Sequence, residues 1–280
     1  MSLAGKNVGF LGAGRMATAL AGGVVRADLV PAGMIAASDP SEPARTGFEN
    51  AVPGAHTCEE NAEVARRSDV VFVAVKPNLV ADALESVRAV LAPDTLVVSI
   101  AAGVPLAEIG RHLENGAPTI RAMPNTPCLV GMSATAYALG PHATDADARA
   151  VDALFGAVGV ARQVDEKLLD AVTGLSGSGP GFVYTVIEAL SDGGVLAGLP
   201  RDLANALAVQ TVRGAAEMVA QTGEHPAVLR DRVTSPGGTT AAGLAAMERA
   251  GVRAALMAAV EEASRRSHEL GQPSTKPNDD

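Results

Sequence analysis

The apolar residues follow different patterns before and after about residue 165. In the first part, short runs rich in Val and Ile alternate with stretches whose apolar residues recur every three or four positions, which predicts alternating strands and helices. We predict strands at residues 7–11, 34–38, 70–75, 96–100, 119–123 and 134–139, and helices at residues 17–27, 43–50, 59–67, 78–91, 106–113 and 144–158. This alternation favours a doubly wound α/β domain, in which helices cover both faces of a mostly parallel sheet.

From residue 166 onwards only the helical pattern remains. Helices are predicted at residues 167–173, 180–196, 200–222, 227–233 and 240–270, with a break in the last one at Gly251. We therefore predict a first domain at residues 1–165, an all-helical domain at residues 166–270, and a polar tail at residues 271–280 that is expected to be disordered.

The first predicted strand runs into a glycine-rich turn with the pattern Gly12-x-Gly14-x-x-Ala17. Two glycines permit a tight turn and close approach of the backbone to a pyrophosphate, and the following helix N-terminus attracts phosphate. Plain packing can produce the same string, but its place between a strand and a helix favours a Rossmann-type dinucleotide site. The predicted contacts in this turn are Leu11, Gly12, Ala13, Gly14, Arg15 and Met16.

An acidic residue follows the second predicted strand. Asp39 stands where a carboxylate typically binds the adenosine ribose of a dinucleotide and repels a 2'-phosphate, which favours NADH. Two alternatives remain open, because Asp39 can simply cap the next helix, and Ser38 and Ser41, with Arg45 nearby, can bind a phosphate. We include Ser38 and Asp39 in the predicted cofactor site.

Two further strand ends carry polar residues. Lys76 follows a strand that is apolar on both faces, at the sheet edge where α/β proteins bind ligands, so it can steer an anionic substrate or be an ordinary loop lysine. Asn125 lies between two prolines that fix an extended turn, so it can face the nicotinamide ribose or belong to a merely rigid turn. The remaining predicted cofactor contacts are Asn61, Ala74, Val75, Lys76, Pro77 and Ala102.

The helical half contains the sequence Ser235-Pro236-Gly237-Gly238-Thr239-Thr240 before a predicted helix. Free backbone N–H groups and two threonine hydroxyls at a helix start can bind a carboxylate and place a proton donor nearby. A threonine-capped helix after a Gly-Gly turn is the simpler alternative.

Composition excludes several function classes. The chain has 22 basic and 31 acidic residues, a net charge of -9, and no basic run, so the footprint of a nucleic-acid-binding protein is absent. Neither the two cysteines nor the five histidines show metal-ligand spacing, so we predict no metal site and no disulfide framework. No apolar run reaches eighteen residues, and we therefore expect a cytoplasmic protein without a membrane span.

Taken together, these motifs resemble the pyrroline-5-carboxylate reductase family over nearly the whole chain. The Ser-Pro-Gly-Gly-Thr-Thr helix start is the family-specific element, whereas many dehydrogenases share the N-terminal glycines. The other matching segments are Ala74-Val75-Lys76-Pro77, Met123-Pro124-Asn125-Thr126-Pro127, Leu175-Ser176-Gly177-Ser178-Gly179-Pro180, Asp192-Gly193-Gly194 and Gly198-Leu199-Pro200-Arg201.

The resemblance implies reduction of 1-pyrroline-5-carboxylate to L-proline by NADPH or NADH, the last step of proline biosynthesis. It assigns Thr240 as the catalytic residue that polarises the imine, and Gly238, Thr239 and Thr240 with Ser235 as the carboxylate site, beside Lys76. It also implies an intertwined homodimer, or a higher assembly of dimers such as a decamer, in which residues 235–240 of one subunit complete the site of the other.

Two rival functions also fit these motifs. A related two-domain dehydrogenase acting on a hydroxyacid or another imine would rely on a lysine of the helical domain, where only Lys167 precedes the tail. A regulatory protein could instead bind a dinucleotide without turnover, although the intact Gly-Gly-Thr-Thr sequence argues against this.

Overall fold

A computed structural model of the chain describes residues 3, 5–114 and 116–272. The tail predicted to be disordered lies outside the described residues from position 273 onwards.

The strands of the described chain form one sheet in the order β3-β2-β1-β4-β5-β6-β7-β8. Neighbouring strands run parallel except β6 and β7, which are antiparallel. The strands are β1 (Val8–Leu11), β2 (Ile35–Ser38), β3 (His56–Cys58), β4 (Val70–Val73), β5 (Leu96–Ser99), β6 (Thr119–Met123), β7 (Ser133–Leu139) and β8 (Gly159–Gln163). The predicted doubly wound fold is confirmed.

The first six helices are α1 (Arg15–Arg26), α2 (Glu42–Ala51), α3 (Asn61–Arg66), α4 (Val80–Val87), α5 (Leu106–Arg111) and α6 (Asp145–Gly156). After β8 the described chain is helical, as predicted, with α7 (Leu169–Val172), α8 (Gly179–Leu196), α9 (Arg201–Thr222), α10 (Pro226–Arg232), α11 (Thr239–Arg249) and α12 (Val252–Leu270). The predicted break at Gly251 separates α11 from α12.

Some predicted bounds were wrong. All six predicted strands form, but β3 and β8 were not predicted. The helix predicted at residues 144–158 ends at Gly156, and β8 follows it from Gly159. The helix predicted at residues 78–91 is shorter, because a 3-10 turn at Pro77–Leu79 precedes α4. Thr144 begins α6 with a capping box, in which its side chain and that of Asp147 bond to each other's backbone.

The few aromatic residues are concentrated in the core beside the sheet. Phe10 and Phe72 stack with their ring centroids 4.9 Å apart, and Phe48 and Phe155 lie against them at 5.9 Å. All four rings are buried. Four of the five phenylalanines therefore pack in one core, and this packing stabilises the central strands β1 and β4.

An ionic cluster around the buried Arg121 joins the end of the sheet to the last helix. The side chain of Arg121 on β6 is 7% exposed, and its guanidinium lies 3.3 Å from both Glu166 Oε1 and Asp170 Oδ1. Glu166 also accepts a hydrogen bond from the backbone N–H of Leu106 at 2.7 Å, and Asp170 accepts one from the Ser267 hydroxyl at 2.8 Å. Through Glu166 and Asp170, the Arg121 guanidinium thus links β6 to the start of α5 and the end of α12.

The chain divides into two compact units. The first contains the sheet, with residues up to 178 and from 262 onwards, and the second contains residues 179–261. The domain boundary predicted near residue 165, where the helical pattern begins, stays a prediction.

The second unit has little core of its own. Within it, only Ser191, Ala204 and Ala208 are buried among the described residues. Large apolar side chains are exposed instead, at Val183, Tyr184, Leu190, Leu196, Leu199, Leu203, Leu207, Val209, Met218, Val228, Val233, Met247, Leu256 and Met257. No described helix combines the length and apolar character needed to cross a bilayer.

Candidate functional site

The glycine turn after β1 has the geometry of a phosphate-binding loop. Gly12 has a φ of +100°, which disfavours other residues, and a Cβ there would lie 2.9 Å from the carbonyl oxygen of Ala74. Its N–H donates to the Ser38 carbonyl at 2.7 Å, which ties the turn to β2. Gly14 is exposed at the start of α1 with open space where a side chain would be. The first N–H groups of α1 therefore point into an accessible region.

A cleft of about 450 Å³ lies beside this turn and gathers eight of the predicted residues. They are Gly12, Gly14, Ser38, Asp39, Asn61, Ala74, Val75 and Lys76. Four lining residues were not predicted: Pro40, Leu79, Asp82 and Ala83. The last three recur at helical spacing, which is the one sequence signal that could have placed them on a common face.

The other predicted cofactor residues lie outside the lining of the cleft. Leu11 and Ala13 are buried, Arg15 is exposed on the first turn of α1, and Met16 contacts the Cys128 thiol at 3.3 Å. Pro77 begins the 3-10 turn after Lys76, and Ala102 is half-buried after β5. Their roles in cofactor binding stay predictions.

Asp39 occupies the wall of the cleft next to β2. Its Oδ2 accepts a hydrogen bond from the Ala13 N–H at 3.1 Å, and its Oδ1 accepts one from the Ser41 N–H at 2.9 Å. The carboxylate is thus fixed against the glycine turn. The contact with Ser41 is an Asx turn just before α2. The N-cap residue of α2 is Ser41 and no side chain caps this helix, so Asp39 lines the cleft without capping α2.

Ser38 and Asn61 form a hydrogen-bonded chain along the same wall. The Ser38 hydroxyl donates to Asn61 Oδ1 at 2.7 Å, and Asn61 Nδ2 donates to the Ser86 hydroxyl at 3.0 Å. Ser86 in turn donates to the carbonyl oxygen of Ala83 at 2.7 Å. These bonds fix the Asn61 amide between β2 and α4.

Lys76 is exposed at the end of the β4 segment, on the opposite side of β1 from Asp39. In the described part of the chain its ammonium group makes no hydrogen bond or ion pair. A free cation at this edge can attract an anionic ligand, as the sequence predicts.

Asn125 is directed into the protein instead of into the cleft. It is 7% exposed, its Oδ1 accepts bonds from the Ser133 hydroxyl and the Ala134 N–H, and its Nδ2 donates to the Ser176 carbonyl at 3.0 Å. These bonds agree with the alternative of a rigid turn. A single amide hydrogen is left for any contact with a ribose.

The predicted carboxylate site lies in the second unit, at the start of α11. Gly237 has a φ of +67°, and the Gly238 N–H donates to the Ser235 carbonyl at 3.0 Å, which closes a tight turn. The N-cap residue of α11 is Gly238, and no side chain caps this helix. The alternative of a threonine-capped helix is therefore wrong. Since the first N–H groups of a helix lack intrahelical partners, those of Thr239 and Thr240 are available to an anion.

A cluster of potential ligands that the sequence spacing did not indicate lies at the sheet edge. His56, Cys58 and Glu63 have ligand atoms within 4.8 Å of one another, and His56 Nε2 lies 2.7 Å from Glu63 Oε1. Burial raises the pKa of the Cys58 thiol, which disfavours the thiolate needed for metal binding, and Arg67 and Arg45 add positive charge nearby. His56 and Glu63 are thus already engaged with each other through a hydrogen bond.

Known proteins resemble this chain along almost its whole length. Residues 166–270 match the family described as pyrroline-5-carboxylate reductase dimerisation, and residues 7–103 match the family described as NADP oxidoreductase, coenzyme F420-dependent. The pyrroline-5-carboxylate reductase of Arabidopsis thaliana is 48% identical over 95% of this chain and 95% of its own length. That of Methanosarcina acetivorans is 46% identical over 95% and 98%.

A solved structure gives the same picture. The crystal structure of Plasmodium falciparum pyrroline carboxylate reductase with NADP bound has a TM-score of 0.87 to this chain and 32% sequence identity. The match covers 96% of this chain and 99% of that one.

Proposed function

The chain belongs to the pyrroline-5-carboxylate reductase family, and from that membership we propose that it reduces 1-pyrroline-5-carboxylate to L-proline with NADPH or NADH, the last step of proline biosynthesis. The observation that carries this proposal is 46–48% identity to named reductases over about 95% of the chain. In the balanced reaction, the imine gains a hydride at its C=N carbon and a proton at nitrogen, while the dinucleotide is oxidised to NAD(P)+.

The start of α11 supplies the polar groups for the substrate. The free N–H groups of Thr239 and Thr240, aided by the positive end of the helix dipole, bind the carboxylate together with Ser235. The Thr240 hydroxyl donates a hydrogen bond to the imine nitrogen, which makes the C=N carbon more electrophilic. Because a threonine hydroxyl is a poor acid, the proton itself reaches the nitrogen through water.

The cleft of the first unit supplies the dinucleotide site. Gly12, Gly14 and the start of α1 bind the diphosphate, Ser38 and Asp39 lie at the adenosine ribose, and Lys76 attracts the anionic substrate. When bound, the nicotinamide supplies the hydride, so the protein contributes orientation and electrostatics. The open space at Gly14 and the unpaired Lys76 support this assignment.

The protein is a homo-oligomer in this proposal. The second unit exposes many large apolar side chains and buries almost none, and a second copy of the same unit would cover them. The assembly is a homodimer, or a higher assembly of dimers such as a decamer, in which residues 235–240 of one subunit complete the site of its partner. A cytoplasmic location agrees with both cysteines being free thiols.

A direct assay tests the proposed reaction. Purified protein with 1-pyrroline-5-carboxylate and either NADH or NADPH should oxidise the cofactor and form L-proline, measured by absorbance and by chromatography of the product. The proposal would be contradicted if the folded protein binds a dinucleotide but oxidises neither cofactor with this imine.

The rival hydroxyacid dehydrogenase lacks a suitable lysine. Lys167 lies in a short 3-10 turn of the first unit, is exposed, and pairs with Asp165 at 3.2 Å. A panel of hydroxyacids and keto acids in the same assay discriminates this rival from the proposed reductase.

A further inference from the structure

The charged residue that lines the cleft next to β2 is an acid, Asp39. Resting on the proposed function, we infer that this site favours NADH over NADPH, with Asp39 repelling a 2'-phosphate and Glu59 keeping Arg45 from compensating for it. The two cofactors differ only in the phosphate on the 2'-oxygen of the adenosine ribose. Discrimination therefore depends on the groups that meet this ribose.

Asp39 is fixed as a hydrogen-bond acceptor at that position. Its two oxygens bond to the N–H groups of Ala13 and Ser41, and Ala13 belongs to the turn that binds the diphosphate. Each carboxylate oxygen accepts two hydrogen bonds, so each keeps a lone pair for a ribose hydroxyl. A phosphate in the same place would meet a like charge that cannot move away without losing two backbone bonds.

Arg45 is the cation best placed to reverse this effect, but its guanidinium is already engaged. Nη1 donates to the Asp39 carbonyl at 2.7 Å and Nη2 donates to Glu59 Oε1 at 3.0 Å. The Arg45 side chain is 16% exposed, whereas that of Glu59 is 72% exposed. Glu59 thus offsets the arginine charge and directs it away from the cleft, which Arg45 does not line.

The remaining charges of the cleft do not favour a 2'-phosphate either. Asp39 and Asp82 are the acidic residues in the described lining, and Lys76 is the basic one. Lys76 follows β4 and Asp39 follows β2, so β1 separates them by two strand spacings, about 10 Å. The cation therefore serves the end of the cleft away from the adenosine ribose.

Equilibrium binding to the full chain tests this inference. The dissociation constants of NADH and NADPH can be measured by the fluorescence of the nucleotides themselves, since the chain has no Trp. We expect the wild-type protein to bind NADH about tenfold more tightly than NADPH. Asp39→Ser removes the charge and keeps a hydroxyl, and Glu59→Gln removes the negative charge that offsets Arg45. Each should therefore strengthen NADPH binding, with Asp39→Ser giving about a tenfold gain or more.

A matched control removes the same charge elsewhere. Glu42 is an exposed acid on the first turn of α2 and contacts neither Asp39 nor Arg45 through any described hydrogen bond or ion pair. Glu42→Gln should leave the ratio of the two dissociation constants unchanged. If it shifts the ratio as much as Glu59→Gln does, general electrostatics explains the effect and the role of Glu59 is overturned.

The decisive outcomes are separable. Wild-type binding of NADPH as tight as that of NADH overturns the inference, as does an unchanged ratio in Asp39→Ser. Faster turnover of 1-pyrroline-5-carboxylate with NADPH than with NADH would overturn the cofactor preference and uphold the proposed reaction. Binding of NADH without any turnover would overturn the proposed reaction, while the two dissociation constants would still decide the preference.

Discussion

In the proposed reaction, the hydroxyl of Thr240 donates a hydrogen bond to the imine nitrogen of the substrate. Thr240→Ala should lower kcat about 10²-fold or more, because it removes the donor to the imine nitrogen, while Thr240→Ser should retain much of the activity. Steady-state kinetics with 1-pyrroline-5-carboxylate measures both. Thr46→Ala changes an exposed threonine on α2 and serves as the control. Equal rates for Thr240→Ala and the control would exclude Thr240 from catalysis.

Asp69 gives the protein an acid-sensitive contact at the start of the sheet. Burial alone would raise its pKa, but the Lys6 ammonium at 2.6 Å and the Asn7 N–H at 2.8 Å reverse this, and the pKa is lowered. A lowered folded-state pKa stabilises the protein above the unfolded-state pKa, and this stabilisation is lost as pH falls through the folded-state value.

Asp69→Asn should therefore lower the free energy of unfolding by about 1 kcal/mol at pH 7 and by much less at pH 3. Urea unfolding followed by circular dichroism, at one protein concentration, measures the difference. A loss of the same size at both pH values would contradict the assigned role of the carboxylate.

Residue types at strand ends located most of the candidate cleft from the sequence, since parallel strands end at a common edge. Gly12, Asp39 and Lys76 were found in this way. Asn125 was harder to interpret, because its orientation depends on Ser133 of the neighbouring strand, a contact that exists only once β6 and β7 pair. The sequence offered both a cofactor contact and a rigid turn, and could not choose between them.

At the scale of the elements, periodicity succeeded where strands were apolar and failed at both edges of the sheet. β3 has three residues, His56, Thr57 and Cys58, none of them buried. β8 contains Arg162 and Gln163 and is largely exposed, so its sequence lacks the apolar run that marks central strands. Edge strands pair on one side only, and their sequences are correspondingly less restricted.

Arg121 should stabilise the packing of β6 against α5 and the end of α12 through its ion pairs with Glu166 and Asp170. Arg121→Met leaves the carboxylates of Glu166 and Asp170 near each other without their cation, which should cost about 2–3 kcal/mol of stability. Arg111→Met is the matched control, since that arginine makes an exposed helical ion pair worth under about 0.5 kcal/mol. Thermal unfolding compares the two variants, and an equal decrease in Tm would refute the proposed link.

At the scale of the whole molecule, the exposed apolar surface of the second unit predicts self-association. The chain has a mass of 28.2 kDa, so light scattering after gel filtration should give at least twice this value. A monomer at micromolar concentration that retained full activity would contradict the proposed shared site, in which residues 235–240 would act beside the cleft of a partner.

The proposed reaction requires hydride transfer to one defined carbon. Protein supplied with 1-pyrroline-5-carboxylate and NADH or NADPH carrying deuterium on the transferred position of the nicotinamide should yield L-proline labelled with one deuterium at its δ carbon, the former C=N carbon. Mass spectrometry and NMR of the product measure this transfer. Unlabelled proline, or no proline from a folded protein that binds the cofactor, would contradict the account.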